Sequence, residues 1–525
     1  SVCPLTGGLW RVPGHTDRFL IEMHTDDDAG GAREAAALLP GRTSHRKWPL
    51  PSTLAADASP PFRDVAGALT ESMRTNRIPG AALGILAEGR EEHAEFGVAS
   101  VNTLTPVTPQ TLFQIGSLAK TYTATAIWRL IDDGTLALDA PVRTYIPDLR
   151  LGDEETAARV TVGNLLDHTA GWYGDDLSCT GEGDDGIARY VDERLPTLPQ
   201  LFPIGQFFSY NNAAFVLLGR LIEVAYGAVY NTATQNLLLG PLGVADTVLD
   251  RSEILRRGYS DGHYAGPING TDGVAVQSPL WLPRSVDPAG GIWSTTRDVI
   301  RYARMHLAAG ATAESVVSPE SLRRMQDPAV AVDGLNLSIG RNWFVQDVGG
   351  VRAIMHNGDT GGQHTVFVAI PEQQFAFVLL INNVFGGVPV EIDVLDKALA
   401  SYPGFAESAG KLGFSRALLP PPDAATEALS EGQVADYAGS YTDPGKVLTL
   451  TPSDNGLTMT AQLQHTDNSW EPAIGPPPPP PATVTFLSKD AALRDGMRIP
   501  FVRDAAGRVG WMSAGLRLVP RTAGS

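Results

Sequence analysis

The chain has 525 residues, 43% of them hydrophobic and 19% charged, too many for one ordinary core at roughly 100–200 residues per domain. Acidic residues outnumber basic ones 58 to 40, for a formal net charge of −18, and no Lys/Arg block occurs, so the electrostatic footprint of a nucleic-acid-binding protein is absent. No apolar run reaches the ~18 residues of a membrane span, and no motif for a metal, a phosphate cradle or any other cofactor is found.

Residues 1–60 are rich in Gly, Asp, Arg and Pro, with one strand-like piece at Arg18–His24, and read as an N-terminal extension or lid. They open on Ser1 without the charged and apolar regions of a secretory leader; a leader removed earlier would leave no trace, so compartment is unassigned, as is oligomeric state. The two cysteines, Cys3 and Cys179, match no metal-site spacing and read as free thiols.

From Asp64 onward Val65, Leu69 and Met73 recur at helical spacing and lead into two strand-like runs, "PGAALGILAEG" and "HAEFGVAS". A long middle stretch is mostly helix and loop, including "AAFVLLGRLIEVAYG". Strands return with "TVFVAIPEQQFAFVLLINN", a hairpin around Pro371–Gln374 in which Phe375–Ile381 is one strand. Strands early, helices in the middle and strands late predict an α+β domain over 61–410: an antiparallel sheet flanked by helices, with an all-helical region inserted and a cleft between the two.

Pro420–Pro422 marks a composition break, and 411–430 reads as a linker. Beyond it, over 431–525, short strands and turns predict a small antiparallel barrel, with "VLTLTPSDNGLTMTAQ" a hairpin turning at Asn455-Gly456. Pro476–Pro481 interrupts this pattern; polyproline II geometry donates nothing to a sheet and predicts an exposed rigid loop.

One helix start is chemically unusual. "IGSLAKTYTA" puts Ser117 and Lys120 one turn apart on the same face. A serine hydroxyl needs a base to become a nucleophile, and a lysine whose pKa is lowered by burial or a neighbouring cation supplies one. The helix N-terminus offers N–H groups to a developing oxyanion. Alone, S-x-x-K is a weak signal, since an ordinary helix cap gives the same letters. Two further groups strengthen it: Tyr210 and Asn212 as Y-x-N in "FFSYNNAAF", and His356 and Gly358 as H-x-G in "IMHNGDTGG". "GYSDG" around Ser260 also fits G-x-S-x-G, but a nucleophile elbow needs a buried strand before it and a helix after it; Ser260 reads as a loop residue. His168 in "LLDHTAGW" reads as structural.

The three motifs in this order resemble the serine β-lactamase and penicillin-binding protein superfamily. The runs "TLFQIGSLAKTYTA", "VTVGNLLDHTAGW", "FSYNNAAFVLLGRLIE" and "DPAGGIWSTTRDVIRYA" extend the likeness to the class C branch, over Phe62 to Pro403. The resemblance implies a β-lactamase/transpeptidase-like fold, Ser117 as acylated nucleophile, and Lys120 and Tyr210 sharing its proton. It further implies Asn212 holding the lysine and the substrate amide, His356 and Gly358 lining the substrate site, and an oxyanion hole from the N–H groups of Ser117 and Asp359. The Asp359 carboxylate must then point away from the oxyanion. His356 stands where β-lactamases carry the lysine of K-T-G, which weakens recognition of a β-lactam carboxylate.

Members with H-x-G include D-aminopeptidases, the peptidase acting on linearised microcystin and penicillin-binding-type thioesterases, which join this domain to a lipocalin-like module. The resemblance therefore implies hydrolysis of a peptide or amide bond in a small-molecule or short-peptide substrate. Carboxylester hydrolysis, acyl transfer or peptide cyclisation, and a sensor acylated without turnover are the alternatives.

Overall fold

The computed structural model describes residues 9–11, 19–21, 48–268, 271–307, 316–421, 424–453, 456–464 and 479–522. Of the expected N-terminal extension, Leu9–Arg11 and Phe19–Ile21 pair as an antiparallel ladder. Most of the remainder, together with Asn455 and Pro476–Pro478, lies outside the described residues.

The first long helix, α1 (Pro60–Thr75), starts earlier than the periodicity at Asp64 indicates, because Ser59 accepts a hydrogen bond from Phe62 N–H and two prolines open the first turn. It turns Phe62, Val65, Leu69 and Met73 inward. Strands β1 (Gly80–Ala87) and β2 (Arg90–Gly97) follow as a hairpin. The middle of the chain supplies α2 (Ala119–Asp132), α3 (Asn212–Tyr226) and α4 (Thr296–Leu307). Strands β3 (Val330–Ala331), β4 (Ser338–Ile339), β5 (Phe344–Val348), β6 (Val351–Asp359), β7 (His364–Ile370) and β8 (Phe375–Ile381) then complete an eight-stranded sheet. Its order is β2-β1-β8-β7-β6-β5-β4-β3, with every pair antiparallel. The first hairpin thus pairs with the last strand, and both ends of the domain close one sheet around the helical insertion.

The continuous apolar run of β8 follows from cover on both faces. Side chains alternate across a strand: Phe375, Phe377, Leu379 and Ile381 join the core under α1 and helix α5 (Gly387–Ser401), while Ala376, Val378 and Leu380 join the core of the helical side. A short helix, α6 (Phe414–Ala417), packs Phe414 against Phe344 of β5, ring centroids 4.9 Å apart.

The C-terminal part is all-β. Strands β9 (Gly439–Asp443), β10 (Lys446–Ser453), β11 (Gly456–Leu463), β12 (Ala482–Ser488), β13 (Ala491–Arg494) and β14 (Met497–Arg498) form one antiparallel sheet. A separate three-stranded sheet comprises β15 (Phe501–Arg503), β16 (Val509–Ala514) and β17 (Arg517–Pro520). The expected lipocalin-like barrel is not seen closed: the bridge of Tyr441 to Arg521 and the backbone hydrogen bond from Phe501 N–H to Asp490 O link the two sheets, but no continuous ladder closes them among the described residues. Strand runs in a sequence specify hairpins, whereas closure depends on strand tilt and stagger matching around the whole circuit. Cys179 is disulfide-bonded rather than free, a pairing that sequence spacing alone does not reveal. No single helix among the described residues is long and apolar enough to cross a membrane.

Candidate active site

Ser117 lies in a one-turn 3₁₀ helix, Gly116–Leu118, and α2 proper begins at Ala119. Its side chain caps neither segment, which separates it from an ordinary capping serine. The reason for the tight turn is contact with β6. A β carbon on Gly116, whose φ is +53°, would sit 2.8 Å from the Asp359 nitrogen, and one on Gly358 would sit 1.9 Å from the Ile115 carbonyl oxygen. Glycine at both positions lets the end of β6 press its backbone against the turn that carries Ser117. The backbones of Ser117 and Asp359 thus lie close together at the end of β6.

Lys120 is 0% exposed. Its Nζ donates to Ser117 Oγ at 3.1 Å and to the Ala289 carbonyl at 2.6 Å. Burial first, then repulsion by Arg517, lowers its pKa well below the ordinary lysine value, with Asp175 opposing. A lysine held in this way gives up its proton more readily, and the amine it then presents to a serine hydroxyl is a competent proton acceptor.

Tyr210 precedes α3, and its ring lies 5.0 Å from Lys120 Nζ. Burial raises the phenol well above its ordinary value, and the nearby Ser117 hydroxyl pulls it only part way back. Its hydroxyl makes no hydrogen bond of normal geometry, so it is a protonated group without a committed partner. His168 stacks on it at 4.5 Å and accepts from Asn211 N–H through Nδ1, a supporting contact beneath the tyrosine.

His356 is 1% exposed. Its Nδ1 lies 2.6 Å from the Asn357 carbonyl, and since a carbonyl only accepts, Nδ1 carries the proton. Burial and the neighbouring Lys120 push its pKa down to about 3. This histidine is neutral at physiological pH, so it does not reproduce the charge of the lysine it replaces.

Asn212 departs from the implied arrangement. Its Nδ2 donates to Asp175 Oδ1 at 3.0 Å, and no hydrogen bond to Lys120 is made. Asp175 in turn holds Arg517, whose Nε and Nη2 each donate at 2.9 Å. Arg517 opens β17 and lies 4.7 Å from the Tyr210 ring. The turn before it is bonded to the same segment, with Tyr210 N–H donating to Leu516 O at 2.9 Å and Leu518 N–H to Ser209 Oγ at 3.1 Å. The C-terminal sheet therefore forms one wall of the cleft.

That cleft has a volume of about 430 Å³ and is lined by Ser117, Asp175, Tyr210, Asn212, His356, Asp359 and Arg517 together with an apolar side made by Phe344, Val388, Phe414, Leu418 and Leu516. Lys120 lies directly behind Ser117, and Gly358 fixes the strand backbone. Ser260 is elsewhere, fully buried, donating to Ala99 O at 3.1 Å and accepting from Asn382 Nδ2 at 3.0 Å. Asp175, Arg517 and His364 carry no local sequence signal for this site; folding alone assembles them. Among the described residues no cluster of acidic, histidine or cysteine side chains has the grouping of a metal site.

Known proteins share this architecture. The chain is 36% identical over 327 residues, 61% of its length and 84% of the relative's, to penicillin-binding protein 4 of Amycolatopsis lactamdurans. It is 24% identical over 386 residues, 65% of its length and 66% of the relative's, to the unguisins hydrolase ungD of Aspergillus violaceofuscus. Among solved structures it is similar to SurE with D-Leu, at 25% identity and TM-score 0.65, covering 88% of this chain and 99% of that one. The Beta-lactamase family model matches residues 65–401, the span that holds Ser117, Lys120, Tyr210 and His356, and the chain belongs to the Beta-lactamase family of serine hydrolases.

Proposed function

We propose that the protein cleaves a peptide or amide bond in a small peptide through an acyl-enzyme on Ser117. Ser117 Oγ attacks the carbonyl carbon while its proton moves to Lys120 Nζ. The N–H groups of Ser117 and Asp359 receive the oxyanion. As the tetrahedral centre collapses the C–N bond breaks, and the proton passes from Lys120, through Tyr210, to the departing nitrogen. Water then attacks the ester, giving its proton to Lys120; as the second tetrahedral centre collapses the C–O bond to Ser117 breaks, Lys120 returns the proton to Ser117 Oγ, and the acid leaves.

The observation that carries this reading is the protonated, uncommitted hydroxyl of Tyr210 beside Lys120, whose pKa burial holds well below the ordinary lysine value. An ester expels its alkoxide with little help, whereas an amide nitrogen needs a proton to leave. Neutral His356 argues against a β-lactam carboxylate as the preferred anchor. The paired charges of Asp175 and Arg517 on the cleft wall are complementary to the termini of a short peptide. A hydrolase named for unguisins and a SurE structure holding the amino acid D-Leu are among the similar proteins, in keeping with a substrate built from amino acids.

The test compares kcat/KM for matched amide and ester substrates across L- and D-aminoacyl panels. Peptides or amides turned over with selectivity are expected. Efficient cleavage of short acyl esters with no amide turnover replaces the reading with carboxylester hydrolysis, and product release only to an added amine replaces it with acyl transfer.

A further inference from the structure

In the proposed reaction Asp359 supplies a backbone N–H to the oxyanion while carrying a negative side chain next to it. The last residue of β6, it pairs in register with His364, the first of β7. Its side chain is 60% exposed, yet Oδ1 lies 2.7 Å from His364 Nδ1. A carboxylate with that much freedom, one residue from an oxyanion donor, would oppose the developing negative charge if it swung toward Ser117.

The imidazole that holds it is itself fixed. His364 is 1% exposed, and α5 approaches so closely that a β carbon on Gly387 would sit 2.5 Å from its ring. On the far side Nε2 lies 3.5 Å from Glu391 Oε2, an ion-pair contact without hydrogen-bond geometry. Glu391 is 1% exposed and receives Asn357 Nδ2 at 2.7 Å, Ser415 N–H at 3.1 Å and the Ser415 hydroxyl. Burial alone would strip the imidazole of its proton, but the two carboxylates outweigh it and raise the pKa to about 10.

We propose that His364 is a positioning residue for the oxyanion hole: its imidazolium, braced by Glu391, holds and neutralises the Asp359 carboxylate so that the Asp359 N–H faces the reacting carbonyl without a competing negative charge. The arrangement meets a requirement of this chain's own sequence, which places aspartate directly after the H-x-G glycine.

The inference rests on Ser117 as the nucleophile of the proposed reaction. An alkyl fluorophosphonate tests it, since its phosphoryl oxygen occupies the oxyanion site as Ser117 is modified. Labelling rates are measured on the full chain carrying His364→Gln, Asp359→Asn, both changes, and Ser117→Ala. His364→Gln is expected to slow labelling about 30-fold where Asp359 is present, and by less than about threefold in the Asp359→Asn background, because the charge it restrains is then gone. Equal loss in both backgrounds, or none in either, overturns the proposal. Labelling of Ser117→Ala at the wild-type rate overturns the nucleophile on which it rests, and is distinguished by that variant alone. If His364→Gln does not fold, wild type and Asp359→Asn are compared across pH. The wild-type rate falls as His364 loses its proton near pH 10, with Asp359 and Glu391 the charged groups facing the ring, and Asp359→Asn lacks that fall; matching profiles overturn the proposal.

Discussion

Strand β8, third in the eight-stranded sheet, is buried at every residue, whereas β12 of the C-terminal region alternates buried Ala482, Val484 and Phe486 with more open Thr483, Thr485 and Leu487. The first sheet is covered on both faces and holds β6 rigidly against the turn of Ser117. The six-stranded C-terminal sheet has one well-covered face around the C-terminal core, the three-stranded sheet also packs Val502 and Leu518 against Phe202 of the larger domain, and this region touches the chemistry through the turn before β17 and through Arg517. On the proposed reaction the difference separates two duties: the eight-stranded sheet fixes reacting atoms to within hydrogen-bond tolerance, and the C-terminal region would shape what approaches them.

The largest effect expected from this division is in the first region. Lys120→Ala should lower kcat by at least ~100-fold, as expected for loss of a group that moves a proton in the transition state, and steady-state kinetics at constant folded fraction reads it. The wild-type rate should also fall on acidification, as Lys120 takes up a proton at its lowered pKa. His356, already neutral well above about pH 3, contributes nothing to that limb. A pH-independent rate through the acid range would remove Lys120 from the role of base.

An intermediate effect is expected at the junction. Arg517→Gln removes the charge that Asp175 and the cleft share, and should cost about 10-fold in kcat/KM for peptides while fluorophosphonate labelling of Ser117 falls by less than about threefold. Equal losses in both measurements would make Arg517 part of the chemistry and break the division of duties.

The smallest belongs to the C-terminal core. Tyr441 is fully buried and donates to the Tyr437 carbonyl at 2.8 Å. Tyr441→Phe should destabilise the protein by about 1 kcal/mol, read as a shift in thermal midpoint, with turnover unchanged below the transition. A drop in turnover in the fully folded variant would couple the two regions more tightly than their contacts imply.

The sequence by itself determined whatever depends on local spacing. Ser117 and Lys120 are three residues apart on one helical turn, so their contact follows from helix geometry. The hairpin of β7 and β8 follows from two apolar, β-branched runs around Pro371–Gln374. The family follows because Y-x-N and H-x-G occur in order with long matching runs. Tertiary structure decided the rest. Arg517 and Asp175 stand far apart in the chain and meet through the docking of one turn on the Tyr210 segment, which draws Asn212 to Asp175 instead of Lys120. Whether the two C-terminal sheets close is likewise a tertiary matter, and no continuous ladder joins them among the described residues, because closure is a property of the whole circuit of strands rather than of any hairpin within it. The charge on His364 and its absence on His356 belong in the same class: both rings are buried, which disfavours the proton, and only the carboxylates that folding brings to His364 outweigh that burial and let it keep its charge.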